Sequence, residues 1–226
     1  MPTFDIVKEN KPKTSFRVAK IQADFDVQFE HSNEHFFGEI KYPDSGNWNI
    51  GAIVGGSGTG KSTIAKTLYP EAYISGFDYI SASVIDDMPK AEVNQITKMF
   101  YAVGFGSVPS WLKPYSVLST GEKMRVDLAR ALLEKDFVVF DEFTSVVDRN
   151  VARTLCIAIN KAVKTLNKKI VVVSCHFDIL EWLSPDWCFD TDKMKPFFGK
   201  TLDRAKTSRS ENVIGGNGKS LGVITI

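Results

Sequence analysis

Gly55-Gly56-Ser57-Gly58-Thr59-Gly60-Lys61-Ser62 decides the fold of this chain. It satisfies G-x-x-x-x-G-K-[ST], the pattern of a loop that wraps phosphate oxygens. Glycines let backbone N–H groups turn inward where a Cβ would obstruct the approach of an anion. Lys61 supplies a point charge for the outer phosphates, and the Ser62 hydroxyl is suited to ligate Mg2+. The flanks agree with this reading. Trp48 to Val54 is an apolar run that stops at the glycines, and Ser62 to Leu68 continues as a helix whose positive end faces the same anion. Gly55, Gly56, Ser57, Gly58, Thr59, Gly60, Lys61, Ser62 and Thr63 are therefore the candidate nucleotide-binding residues.

A phosphate loop alone leaves kinases, GTPases and ATP-driven machines open, and the second half of the chain narrows them. Phe137 to Phe140 is an apolar strand that ends in Asp141-Glu142. Asp141 is placed to hold Mg2+ through its water shell. Glu142 could polarise a water for in-line attack on a γ-phosphate, a role that a small-molecule kinase does not need. Ile170 to Val173 is a second continuous apolar strand, with helical spacing from Asn150 to Leu166 between the two. Ala91 to Phe105 and Ser119 to Leu133 read as further amphipathic helices. Continuous apolar strands alternating with helices predict an α/β fold with a parallel sheet buried on both faces.

Leu118-Ser119-Thr120-Gly121-Glu122 opens the helix that leads into the acidic strand. Here the chain resembles the ABC-type ATPases, whose LSGGQ signature it departs from at Thr120 and Glu122. Ser145-Val146-Val147-Asp148 is similar to the family's D-loop, and Cys175-His176 to its switch histidine. The resemblance spans roughly residues 15 to 198. It implies a P-loop fold with an antiparallel β subdomain, a parallel core sheet and a helical subdomain. It also implies a head-to-tail homodimer with ATP and Mg2+ between one copy's phosphate loop and the other's signature. Ser119 and the Gly121 backbone would contact the γ-phosphate from across the interface. His176 would steady that phosphate and the attacking water, Glu142 would polarise the water, and Asp148 would link the two sites. Lys61, Glu142 and His176 are the candidate catalytic residues, with Ser62 and Asp141 on the metal.

Fifty-seven residues separate Lys61 from Ser119, so the helical subdomain is shortened and no long coiled coil fits there. The Q-loop glutamine of transporter ATPases has no evident equivalent. Ser83 to Pro89 stands near its place, where Asp86 or Asp87 could reach metal or water, or simply form a solvated acidic turn. For the aromatic that stacks on adenine, Phe25 is the candidate, with Phe16 and Phe29 as alternatives and a core role open to all three. The segments Asp141 to Asp148 and Cys175 to Leu183, with Pro185-Asp186-Trp187, resemble a soluble branch from bacteria and their phages, often fused to an acetyltransferase-like domain. That implies a cytoplasmic, stand-alone version, in the bacterium or an infected host, or an acetyltransferase-like partner on another polypeptide. A transporter ATPase subunit and a P-loop phosphotransferase are the alternative functions.

At 226 residues the chain is long enough for one sizeable α/β domain or two small ones, and 43% hydrophobic and 24% charged residues are ordinary for a soluble globular protein. A net charge of +1 supplies no whole-surface field for nucleic acid or membrane. No stretch reaches the roughly 18 apolar residues of a spanning helix, so no direct membrane insertion is expected. Three cysteines make no disulfide framework and indicate a reducing compartment. Residues 1 to 14 read as a polar leader, 15 to 42 as short antiparallel strands, and 199 to 226 as a polar, basic tail. Lys193, Lys195, Lys200, Arg204, Lys206 and Arg209 against Asp203 could contact nucleic-acid phosphates, although a solvated tail is the plainer reading. Two further matches are set aside. His31-Ser32-Asn33-Glu34-His35 fits an inverted zinc-peptidase motif but reads as a hairpin turn, and Gly215 to Ser220 lacks the first glycine of a second phosphate loop.

Overall fold

The computed structural model describes residues 1–10, 15–27, 32–43 and 46–197. Among them, five strands form the core sheet: β3 (Ile50–Val54), β4 (Phe137–Phe140), β5 (Lys169–Ser174), β6 (Trp187–Asp190) and β7 (Lys195–Phe197), in the order β4-β5-β3-β6-β7. The first four run parallel and β7 returns antiparallel to β6. On the outer side of β4, Val139 N–H donates to Ala72 and Ile74 N–H donates to Val139, so residues 72 to 74 extend the sheet. The expected strands and the intervening helices are all present.

Alternation within these strands explains why they read as continuously apolar. Ile50, Ala52, Val54, Val138, Phe140, Ile170 and Val172 face one core, and Ile53, Val139, Val171, Val173 and Phe189 face another. The first core is closed by α3 (Val93–Ala102), α5 (Thr120–Glu134), α6 (Arg149–Thr165) and α7 (Ile179–Leu183). The second is closed by α2 (Lys61–Leu68) and by a pair of antiparallel strands, β1 (Thr3–Asn10) and β2 (Ser32–Glu39). A strand covered on both faces must be apolar on both faces. Gly51 is the exception that the packing requires: a Cβ there would lie 2.1 Å from the buried Trp187 indole.

Residues 1 to 42 depart from expectation. The polar leader contains β1, whose Phe4 is buried edge-on against Phe189, with ring centroids 5.5 Å apart. Its partner β2 lies more than twenty residues away, so local polarity could not reveal the pairing. The segment expected as antiparallel strands holds helix α1 (Phe16–Phe25). Ser15 caps it by accepting from Val18 N–H at 3.2 Å, and Asp26 ends it in a left-handed conformation. The zinc-like motif is not a turn: His35 sits within β2 and bonds Asp5 across the ladder, while His31 lies outside the described residues. Of the basic residues, Lys193 pairs with Asp190 at 3.6 Å and Lys195 opens β7, while the tail of residues 199 to 226, Gly215 to Ser220 included, lies outside the described residues.

Between α2 and α5, α3 is followed only by the four-residue α4 (Val108–Trp111) and one 3-10 turn, Tyr115–Val117. This is the shortened helical region. Cys156 and Cys188 are buried, and burial pushes both thiols up to about 12, while Cys175 is exposed.

Candidate functional site

Parallel strands place their carboxyl ends along one edge of the sheet, where loops converge. β3 delivers the phosphate loop there, β4 delivers Asp141 and Glu142, and β5 delivers His176. With β5 lying between β3 and β4, the axes of the latter two are about 9–10 Å apart.

The loop itself is built from glycine. Gly58 (φ +82°) and Gly60 (φ +83°) are left-handed, and Gly60 is the N-cap of α2. A Cβ on Gly60 would lie 2.6 Å from the buried Phe36 ring. Lys61 Nζ donates back to the Gly56 carbonyl, and Thr59 Oγ1 donates to the same carbonyl at 2.9 Å.

A second turn supports the loop. Asp190 is buried at the end of β6, and its carboxylate accepts the N–H groups of Asp192 (2.9 Å) and Lys193 (3.2 Å). The turn thus fixed presents Thr191 and Asp192 to the glycines. Thr191 N–H donates to Val54 at 2.8 Å, Thr191 Oγ1 shares a hydrogen bond with Thr59 Oγ1, and Gly56 N–H donates to Asp192 Oδ1 at 2.9 Å. The reading from sequence missed Asp190, Thr191 and Asp192. An acid-threonine-acid run directly after the apolar Trp187–Phe189 was the available signal.

Asp141 accepts from Tyr73 Oη on one oxygen and from Glu142 N–H at 2.8 Å on the other. Burial and the neighbouring carboxylate raise the Tyr73 phenol well above its usual range, so it stays a donor to Asp141. An oriented carboxylate at a strand end, opposite a hydroxyl at a helix N-terminus, is a donor set of hard oxygens suited to Mg2+. Glu142 is exposed and left-handed (φ +51°), as is the buried Thr144 (φ +66°). The sharp turn these make throws Glu142 outward while Phe143 stays in the core.

Ser119 is the N-cap of α5 in a reciprocal capping box with Glu122. Glu122 Oε2 accepts from Ser119 N–H (3.0 Å) and Oγ (2.8 Å), and Oε1 accepts from Ser110 Oγ (2.8 Å). The Ser119 amide first, then the hydroxyls, hold the Glu122 carboxyl below its usual range. Glutamate at this place thus closes the cap that starts the helix. Gly121 lies against Val147 of the Ser145–Asp148 segment, 3.1 Å from a Cβ built there. Asp148 in turn caps α6, accepting from Asn150 and Val151 N–H at 3.0 Å each.

The remaining candidate residues lie on other elements. Asp86 accepts from Ser83 Oγ, and Asp87 accepts from Ile80 and Ser81 N–H, so both serve their own turn. Among the described residues, no three His, Cys, Asp or Glu side chains form a metal-binding group. Phe25 and Phe16 project from α1 and are 69% and 84% exposed, and Phe29 lies outside the described residues. Among the described residues, Phe36 lies against Gly60 of the phosphate loop.

No family model matches the chain, and no curated protein matches its sequence. Solved structures do match its fold. CbiO1 of Clostridium perfringens, part of an ABC transporter complex, is 20% identical, with 82% of this chain and 89% of that one covered at a TM-score of 0.58. The cassette MJ0796, solved as a dimer in a post-hydrolysis state with ADP and phosphate, is 14% identical, with 83% and 92% covered at 0.57. A bacterial Atm1-family ABC exporter with ATP bound is 15% identical, with 81% of this chain and 39% of that one covered, also at 0.57. The chain has the fold of an ABC-type nucleotide-binding cassette.

Proposed function

We propose that this chain is an ATP hydrolase of the ABC type, which binds MgATP between two head-to-tail copies and converts it to ADP and phosphate. The observation behind this reading is Glu142, an exposed carboxylate one residue beyond Asp141, at the sheet edge that also holds the phosphate loop. Such a carboxylate can orient a water for in-line attack and take up its proton; phosphate release without an added acceptor separates this reading from phosphoryl transfer to another hydroxyl. The loop amides and Lys61 would bind the β- and γ-phosphates, and Ser62 and Asp141 would hold a Mg2+, which would supply positive charge to the phosphate oxygens. His176 steadies the γ-phosphate end. The signature and D-loop lie side by side through Gly121 and Val147, and a second copy would meet them together. The Ser119 hydroxyl would then turn from Glu122 to the incoming γ-phosphate.

No helix among the described residues is long and apolar enough to cross a membrane. We read the chain as a cytoplasmic ATPase whose dimer cycle gates a separate partner. An ATP-binding subunit of a transporter is the second reading, favoured by the likeness to transporter cassettes. Phosphate release measured alone and with DNA, RNA or membrane vesicles tests both. Stimulation by vesicles bearing a membrane subunit supports the transporter, and stimulation by nucleic acid supports a nucleic-acid partner. No phosphate release under any condition, without an added acceptor, would sink the hydrolase reading.

A further inference from the structure

The loops bearing Glu142 and His176 leave neighbouring strands, and one side chain joins them. Ser174, the last residue of β5, is 2% exposed. Its Oγ donates to the Phe143 carbonyl at 2.9 Å and accepts from His176 N–H at 3.1 Å. Phe143 N–H is bound as well, donating to the Val173 carbonyl at 2.9 Å. The peptide groups on both sides of Phe143 are therefore anchored to the end of β5, directly after the left-handed Glu142.

From this geometry we propose that Ser174 is the positioning residue of the reaction, fixing the Glu142 loop and the His176 loop relative to each other. The inference rests on the hydrolase reading. Only a hydroxyl can do this from a short side chain, because the link needs a donor and an acceptor on one atom. Alanine offers neither, and a thiol offers both weakly. Without the link, Phe143 keeps its core contacts and its N–H bond to Val173, and Lys61 and the glycines are untouched. The consequence falls on alignment: ATP binds as before, while the base and the γ-phosphate contact lose their common reference. Misplacement by about an ångström costs on the order of a hundredfold in rate.

The test compares phosphate release by wild type, Ser174→Ala, Ser174→Cys, Ser174→Thr, His176→Ala and the Ser174→Ala/His176→Ala pair, below their melting temperatures. Ser174→Ala should lower kcat about 10- to 100-fold with the KM for MgATP within threefold. Ser174→Cys, nearly isosteric and therefore folded, should fall at least tenfold, and Ser174→Thr should recover most of the rate. The pair should be no more than threefold slower than His176→Ala alone, since the two changes remove one alignment. Wild-type kcat in Ser174→Cys, or losses that multiply in the pair, would overturn the proposal. Wild type releasing no phosphate overturns the reading beneath it, and the proposal with it, an outcome distinct from a normal wild type and a normal variant.

Discussion

Glu142 offers a perturbation in which activity and stability move in opposite directions. Its carboxylate is exposed and its backbone is left-handed at φ +51°. Glu142→Gln keeps shape and backbone and removes only basicity, so stability should stay within about 0.5 kcal/mol. Loss of a general base slows turnover about 100- to 10,000-fold, or about 2.7–5.4 kcal/mol of barrier. Glu142→Gly loses the same carboxylate but also relieves the left-handed strain, about 1–2 kcal/mol for a residue with a Cβ. Glycine's greater freedom in the unfolded chain returns about 0.5–1 kcal/mol of that. The net gain of about 0–1.5 kcal/mol corresponds to a Tm rise of roughly 0–6 °C for a chain of this length. Phosphate release and thermal denaturation measure the two effects, and size-exclusion chromatography with ATP should show the Glu142→Gln dimer accumulating. A Glu142→Gln enzyme within tenfold of wild type, or a variant that stays monomeric with ATP at high protein concentration, would refute the reasoning. So would a Glu142→Gly protein that melts several degrees lower.

Lys61→Ala should abolish nucleotide binding in equilibrium dialysis with ATP, and undiminished binding would remove the phosphate-loop assignment. Asp148→Ala should cost about 1 kcal/mol by uncapping α6, and Asp148→Ser should restore it, since serine caps as well as aspartate; melting curves distinguish this from a D-loop defect, which both would share. Asp127 accepts hydrogen bonds from Tyr79 and Tyr115 at 2.8 Å each, yet burial, the larger effect, raises its pKa above the ordinary 3.8. The native state therefore holds its proton more tightly, and the stability this contributes is complete below 3.8 and lost as pH rises through the raised value. Asp127→Asn, which cannot titrate, should gain Tm relative to wild type as pH rises above 3.8; a difference that stays constant as pH rises would show that Asp127 does not ionise with a raised pKa.

What could be read in advance was local. The phosphate loop, the strand ending in Asp141-Glu142 and the helix opening at Ser119 each declare themselves within about ten residues. Their patterns are set by backbone demands: glycine at left-handed positions, β-branched runs in a covered sheet, a capping box at a helix start. The misread parts depend on distant partners. β1 is polar enough to pass for a leader because only Phe4 and Phe36 of its hairpin are buried. α1 buries nothing, so its periodicity carries no core signature. Thr191 and Asp192 reach Thr59 and Gly56 from across 132 and 136 residues. Ser174 ends an apolar strand as many serines do, and nothing near it in sequence announces the Phe143 carbonyl.

Strand order also bears on how the polypeptide emerges from the ribosome. β3 is the middle strand of its sheet and the first of them to be made, while β5 and β6, which flank it, follow more than a hundred residues later. At about 5–20 residues per second, Ile50-Gly51-Ala52-Ile53-Val54 waits roughly 5–20 s with both edges bare. An uncharged, β-branched segment in that condition is a template for pairing with another nascent chain. The phosphate loop, which bonds Thr191 and Asp192, cannot be completed until residue 192 of the 226 is made. Yield in a heterologous host should accordingly respond to slower growth temperature and holdase chaperones more than to added ATP.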